Sequence, residues 1–409
     1  MDFRPFRPLC PNPSIASRLI SPPYDVMSTS EARVLGADEL SFLRVTRSEL
    51  ELSDSQDAYG PEVYALARKN LDRLIASEAL VPRGRSGWAV YRQTRGAHAQ
   101  LGLVGLASVR EYEQGLVKKH ELTRAEKEDD RTRHIDVTEA QTGPVFLAMR
   151  ASSDMKDLLV EASLGKPDLD AWMANGVRHE AWFIDEGTAN GERLAKLLAE
   201  TPASYIADGH HRAASAMRVA RLRREQGHTE GPWEHFLAVV FPSDWLKILP
   251  YNRVVSDLNG HSEAGFLAAL DAHFEVGPAG ALPTPSARHV VSMYLGGTWR
   301  ELRMKGVDES DAIASLDVAF LQDKLLHPLL GIADPRRDHR IDFVGGIRGT
   351  RTLEERVGAG GVAFSMYPTS LDELFRVADQ DAIMPPKSTW FEPKLADGLF
   401  VHDIARSPR

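Results

Sequence analysis

Of the 409 residues, 43% are hydrophobic and 26% charged, the balance of a soluble globular protein able to bury a substantial core. Asp and Glu outnumber Lys and Arg by 58 to 49, a formal net charge of −9, which argues against a chain whose main task is to coat nucleic acid. The one cysteine, Cys10, excludes an intrachain disulfide, the terminus Met1–Pro8 lacks the apolar core of a signal peptide, and no run approaches the roughly 20 apolar residues of a membrane span, so the expected setting is a reducing cytoplasm without a membrane partner.

The first 26 residues hold six prolines and read as an extended arm ending in Ser21-Pro22-Pro23-Tyr24-Asp25-Val26, because prolines this dense exclude helix. Val63, Leu66, Leu71, Leu74 and Ile75 share one face of a predicted helix over 61–80. Residues 88–94 and 99–109 read as paired strands across a glycine-containing turn. A run in which nearly every residue is charged or hydrogen-bonding follows from Lys118 to His134, and residues 141–149 return to an apolar strand. Between 180 and 240 strands and helices alternate, with a short strand at 203–207, a helix at 213–224 and a strand at 236–241. Residues 278–285 read as a linker, and the last third mixes strands such as 290–294 with helices near 309–330 and 370–380. The expected fold class is α/β with α+β elements, in three regions: 1–150, 151–277 and 286–409.

Four clusters carry chemistry. In Tyr205-Ile206-Ala207-Asp208-Gly209-His210-His211-Arg212, a carboxylate, two imidazoles and a guanidinium fall in the turn between a strand and a helix. The start of a helix exposes unpaired N–H groups, so an anion over residues 209–213 would be held by backbone donors and by the fork of Arg212. Asp208 could orient a histidine, act as a base, help hold a divalent metal bound to phosphates, or do no more than cap the helix. The adjacent histidines lack the spacing and further partners of a dedicated zinc site, and no protein metal site is expected. In the second cluster, Lys119-His120-Glu121 follows a strand and Arg131-Thr132-Arg133-His134 offers cationic groups suited to a polyanion; a solvated, salt-bridged helix face is the plainer reading. The third, Arg336–Gly346, contains Arg340 and Asp342, which could be a structural ion pair. The fourth, Met384–Lys394, presents Lys387, Ser388 and Thr389 on a Pro-Pro stem, a set able to bind phosphate or carboxylate oxygens. The Gly-rich nucleotide loops and the Gly-x-Ser-x-Gly elbow are absent from the sequence.

Six boxes in order, Pro22–Val26, Lys119–Arg124, Asp129–His134, Ala207–Arg212, Arg340–Gly346 and Met384–Pro393, resemble the bacterial proteins grouped as domain of unknown function 1015. The Asp208–Arg212 box is also similar to the phosphate-binding turn of the ParB and sulfiredoxin superfamily, in particular to that of free serine kinases. Sulfiredoxin's cysteine has no counterpart in this box, where His210 and His211 stand. The resemblance implies a ParB-like unit within 151–277, inside a larger mixed-sheet framework. It implies a small-molecule kinase moving a phosphoryl group to the hydroxyl of free serine or a similar amino acid, with Mg²⁺ and ATP, ADP or pyrophosphate as donor. Glu121, Asp208 and His210 are the expected catalytic residues, with Glu126 and Glu128 as rivals of Glu121 for the base. Gly209, His211, Arg212, Arg131, Arg133, His134 and Lys119 are expected to hold the phosphates, and Lys387, Ser388, Thr389 and Arg340 the substrate. The expected partner is thus a small molecule and no nucleic acid. The alternative is a ParB-like nucleotide-binding switch with little catalysis.

Overall fold

The computed structural model describes residues 1–53 and 55–405, so Asp54 and the last four residues of the expected region 286–409 lie outside the described residues. The chain forms two units. The first comprises Met1–Lys119, Thr123–Leu246 and the C-terminal stretch from Pro393; the second comprises His120–Leu122 and Lys247–Glu392. The fold is mixed α/β, with several sheets.

A nine-stranded sheet organises the first unit. Its strands are β1 (Phe3–Arg4), β2 (Gly87–Arg95), β3 (His98–Ser108), β4 (Val117–Lys118), β5 (Val145–Met149), β6 (Leu169–Trp172), β7 (Arg178–Asp185), β8 (Ser204–Asp208) and β9 (His235–Pro242). Their order is β4-β8-β5-β9-β3-β2-β7-β6, with β1 against β3. Strands β2 and β3 form the hairpin that the sequence predicts, closed at Arg95 and His98 with Gly96 at positive φ. The sheet takes strands from both expected regions 1–150 and 151–277, because β8 pairs with β5 and β5 with β9. Leu103, Leu147, Ile206 and Val240 are fully buried in one apolar cluster on these neighbouring strands. Each such side chain contributes about 1.5–3 kcal/mol.

Three helices matter for the site. Helix α1 (Pro61–Ala76) starts with proline at its first position, where the missing N–H costs nothing, and buries Val63, Ala67, Leu71 and Leu74 on one face. Most of the charged run from Lys118 to His134, whose plainer sequence reading is a solvated, salt-bridged helix face, lies in helix α2 (Ala125–Thr138). Helix α3 (His210–Glu225) follows β8 directly and buries Ala213, Ala216, Val219 and Ala220 in the same cluster as the sheet. Alanines at this spacing let the helix lie close to the strands. The C-terminal stretch from Pro393 runs back into the first unit, where Ser21 and Asp397 exchange backbone hydrogen bonds.

The second unit holds a six-stranded antiparallel sheet of β10 (Tyr251–Val255), β11 (Phe274–Val276), β12 (Val290–Leu295), β13 (Thr298–Met304), β14 (Ile341–Gly345) and β15 (Val362–Ser365), in the order β11-β13-β12-β15-β10-β14. The expected linker at 278–285 contains neither helix nor strand. The helices expected near 309–330 and 370–380 are α4 (Asp317–Leu321), continued by one turn of wider winding over Gln322–Leu326, and α5 (Leu371–Asp379).

Candidate functional site

Strand β8 delivers Asp208 through an irregularity. Ile206 pairs with Leu147 and Asp208 with Phe146, so two residues advance on β8 for one on β5, and the ladder slips at Ala207. Such a bulge turns the strand end and re-aims the side chain that follows. Gly209 then adopts φ +90°, a left-handed conformation that glycine enters without strain, and α3 begins at His210. The strand, the bulge and the glycine together set a carboxylate beside the open N-terminus of a 16-residue helix.

Asp208 is held by both of its oxygens. Oδ1 accepts from the Gly209 N–H at 2.8 Å, and Oδ2 accepts from Lys394 Nζ at 2.7 Å. Burial pushes this carboxyl up, but the Lys394 ammonium and the Arg212 guanidinium outweigh it and hold Asp208 ionised, well below the usual carboxylate range. Its side chain is nonetheless 39% exposed, against 13% for Lys394, so it is an anion accessible to ligand. Lys394 was not singled out from the sequence. Its one signal there was its place at the end of the Met384–Lys394 cluster.

Arg212, in the first turn of α3, donates through Nη1 to the Pro144 carbonyl at 2.9 Å. Its Nη2 lies 3.8 Å from Asp397 Oδ1 and 4.0 Å from Asp25 Oδ1. Tyr24 lies beneath two guanidiniums, with Arg131 4.2 Å and Arg212 5.6 Å from its ring centroid. Tyr24, Arg131 and Arg212 line a cavity of mixed character, with Asp397 among its polar walls and Phe236 and Leu237 among its apolar ones. Burial pushes the Asp397 carboxyl up to about 7, despite the opposing pull of Arg212. Tyr24, Asp25 and Asp397 were likewise not expected as site residues, although Tyr24 and Asp25 belong to the Pro22–Val26 box.

The second cluster divides according to helix phase. On α2, Arg131 faces inward and donates through Nε and Nη2 to Asp130 Oδ2 at 3.0 and 2.9 Å, and through Nη1 to the Thr46 carbonyl. Arg133 is exposed. His134, expected among the phosphate ligands, is instead buried and donates from Nε2 to the Val45 carbonyl at 2.9 Å. Desolvation, with Arg131 adding to it, lowers its pKa to about 4, so it is neutral at physiological pH and brings no positive charge to a phosphate. His211 Nε2 accepts from the Arg124 N–H at 3.0 Å, which satisfies a donor at the start of α2. His210 is buried in the first turn of α3. Exposed Lys119 has its ammonium 5.0 Å from the Tyr112 ring. Of the rival carboxylates, Glu128 bonds Thr123 and lies 3.6 Å from Arg218, whereas Glu126 is exposed.

The remaining candidates belong to the second unit. Glu121 is partly exposed in the His120–Leu122 segment, whose His120 carbonyl accepts from the Met384 N–H at 2.8 Å. Lys387 has φ +59°, sets its ammonium 5.3 Å from the Tyr251 ring and accepts at its carbonyl from Arg253. Ser388 is buried and donates to the Pro385 carbonyl at 2.6 Å, while Thr389 Oγ1 lies 3.4 Å from His120 Nε2. Arg340 does not pair with Asp342. It bonds Asp338 in its own loop and Asp257 from a distant one, and Asp342 takes Arg356.

No curated protein matches the chain. Among solved structures, a free serine kinase in complex with AMP is 12% identical over 73% of this chain and 90% of its own, with a TM-score of 0.35. SbnI with a C-terminal truncation, from Staphylococcus aureus, is 12% identical over 72% of this chain and 85% of its own, with a TM-score of 0.37. A conserved hypothetical protein from Pyrococcus furiosus is 13% identical over 71% and 92%, with a TM-score of 0.32. Among the described residues, no helix is long and apolar enough to cross a membrane. The family described as "Protein of unknown function (DUF1015)" matches residues 3–319, a range that holds the Pro22–Val26, Lys119–Arg124, Asp129–His134 and Ala207–Arg212 boxes, and the chain belongs to that family.

Proposed function

We infer that the protein is a small-molecule kinase that transfers a phosphoryl group from a nucleotide or pyrophosphate to the hydroxyl of free serine or a similar amino acid. The observation that carries this reading is the accessible, ionised Asp208 beside the glycine-led N-terminus of α3, with Lys394 and Arg212 as adjacent cations. Phosphoryl transfer needs positioning and charge stabilisation more than covalent help, and this turn supplies both signs of charge at the positive end of a helix dipole. In the reaction the acceptor oxygen bonds to the terminal phosphorus, the bridging P–O bond breaks, and ADP, AMP or phosphate leaves as the acceptor proton passes to a base.

Asp208 is a weak base, because its cations hold its pKa low, and a general base works best near the operating pH. It is better suited to anchoring a phosphate-bound Mg²⁺, which commonly takes one or two carboxylates and otherwise phosphate and water oxygens. Bound Mg²⁺ would offset donor charge. Lys394, released from Asp208 when that carboxylate takes its new partner, would turn to a phosphate oxygen. The backbone at the N-terminus of α3, from Gly209 to Arg212, would hold the donor phosphates, with Lys119 and Arg133 as exposed cations for the rest and the Arg212 guanidinium turned to the acceptor side. Glu121 is the proposed base from its sequence context.

The test is phosphoryl transfer to a panel of amino-acid alcohols from ATP, ADP and pyrophosphate, followed by ³¹P NMR. Asp208→Asn should lower kcat at least about a hundredfold with the melting curve retained. Glu121→Gln should lower kcat without weakening donor binding. Tight nucleotide binding with no phosphorylated acceptor would overturn the kinase reading in favour of a nucleotide-operated switch.

A further inference from the structure

The cavity beside Arg212 draws on stretches distant in sequence, among them the Pro-rich arm at Tyr24, the strand approach at Thr142 and Gly143, and the C-terminal stretch at Asp397. Asp397 is 1% exposed, yet its Oδ1 has no hydrogen-bond partner among the described residues. A buried acceptor left in this state is costly, and natural proteins keep such groups where a ligand or water completes them. The donor opposite is Arg212 Nη2, which reaches Asp397 and Asp25 only at 3.8 and 4.0 Å, beyond hydrogen-bonding distance. A bare acceptor and an underused donor thus face each other across a gap.

We propose that this cavity binds the zwitterionic head group of an α-amino acid, with the ammonium on Asp397 Oδ1 and the carboxylate on Arg212 Nη2.

Charge balance favours a zwitterion over a phosphate. Arg131 is already matched by Asp130 at 2.9 Å, and Arg212 faces two carboxylates, so a dianion here would be pressed against Asp397 and Asp25. A ligand that brings its own cation satisfies both walls. Geometry agrees. Two charge-assisted bonds of about 2.8 Å, raised from atoms 3.8 Å apart, meet a donor and an acceptor that are close neighbours, as on the α-carbon of an amino acid. The cavity is small, with room for two or three waters at about 10–15 Å³ each, so it excludes a nucleotide. Gly143 keeps it open, since a Cβ there would stand 2.2 Å from Asp397 Oδ1.

The proposal rests on the kinase reading only in taking the bound amino acid to be the phosphoryl acceptor; binding itself is tested without any donor. Isothermal titration of the full chain with L-serine is compared with ethanolamine, glycolate and inorganic phosphate. L-serine should bind at least tenfold more tightly than either half-molecule or phosphate. Asp397→Asn and Gly143→Ala, each with a melting curve to establish folding, should weaken L-serine binding at least tenfold. Asp397 faces Arg212, Arg131, Asp25 and the Tyr24 backbone, and an arriving ammonium ionises it. Titration at pH 6.5 in buffers of different ionisation enthalpy should therefore show proton release that Asp397→Asn abolishes. Phosphate binding that displaces L-serine would overturn the proposal in favour of an anion site, and no zwitterion binding would reduce the cavity to a hydrated structural pocket. L-serine binding without phosphoryl transfer sinks the kinase reading and leaves this one standing. Transfer with an unchanged KM in Asp397→Asn does the reverse.

Discussion

Two aspartates reached by the same guanidinium end in opposite protonation regimes. Both are pushed up by burial, but Asp208 has the Lys394 ammonium at hydrogen-bonding distance, whereas Asp397 has Arg212 and Arg131 at longer reach and a backbone bond from Tyr24, offset by Asp25. Separating two carboxyls in this way is how one site holds one charge fixed and leaves another to respond. The consequence for stability has a definite sign. Asp397 ionises near 3.8 in an unfolded chain and near 7 in the folded one, so between those values the unfolded state has lost a proton that the folded state keeps. Its contribution is full below pH 3.8 and is lost as pH rises through about 7, on the order of 4 kcal/mol. Asp397→Asn removes that slope. Denaturant melts at pH 4, 5.5 and 7.5 should show the variant gaining on the parent as pH rises; a gap that stays constant would mean that Asp397 titrates normally.

At the scale of elements, the site is one strand end and one helix start joined by a single glycine. Because Gly209 sits at φ +90° with ordinary 3.5 Å clearance to Val145, Gly209→Ala should cost about 1–2 kcal/mol through backbone strain rather than collision, measured as a lower denaturation midpoint at unchanged slope. The β8–turn–α3 passage was legible in the sequence because its causes are local: an apolar run, a glycine, then helix formers. The amphipathic helix at 61 and the 88–109 hairpin were legible for the same reason. The bulge at Ala207 was not, since it depends on which strand lies alongside. Lys394 and Asp397 were hidden too, because Lys394 meets Asp208 across 186 residues and no local pattern announces such a pairing. His134 shows how helix phase sorts neighbours. In the sequence it stands beside two arginines, but on α2 its phase turns it inward to the Val45 carbonyl while Arg133 turns out.

For the first unit as a whole, pH response is governed by buried imidazoles. His134, His179 and His402 are each buried, and desolvation lowers their pKa from 6.5 to about 4, 3 and 4. Their stabilising contribution is present above pH 6.5 and is lost as pH falls, because the unfolded chain accepts protons that the folded one refuses. At pH 5 each loses about 2 kcal/mol, and three such groups together approach the 5–15 kcal/mol that a domain has in total. Asp397 slopes the other way over pH 3.8–7 and so offsets roughly one of the three. The unit should therefore be most stable near neutrality and lose cooperative structure between about pH 6 and 4.5. His402 donates from Nε2 to the Pro232 carbonyl at 3.0 Å, a bond that an amide can reproduce without titrating. His402→Gln, followed by tryptophan fluorescence during urea melts, should fall behind the parent at pH 7.5 by less than 1 kcal/mol and overtake it by about 1–2 kcal/mol at pH 5. Parallel acid losses in parent and variant would show that His402 is not among the groups that set the acid limit, and would move that burden to His134 and His179.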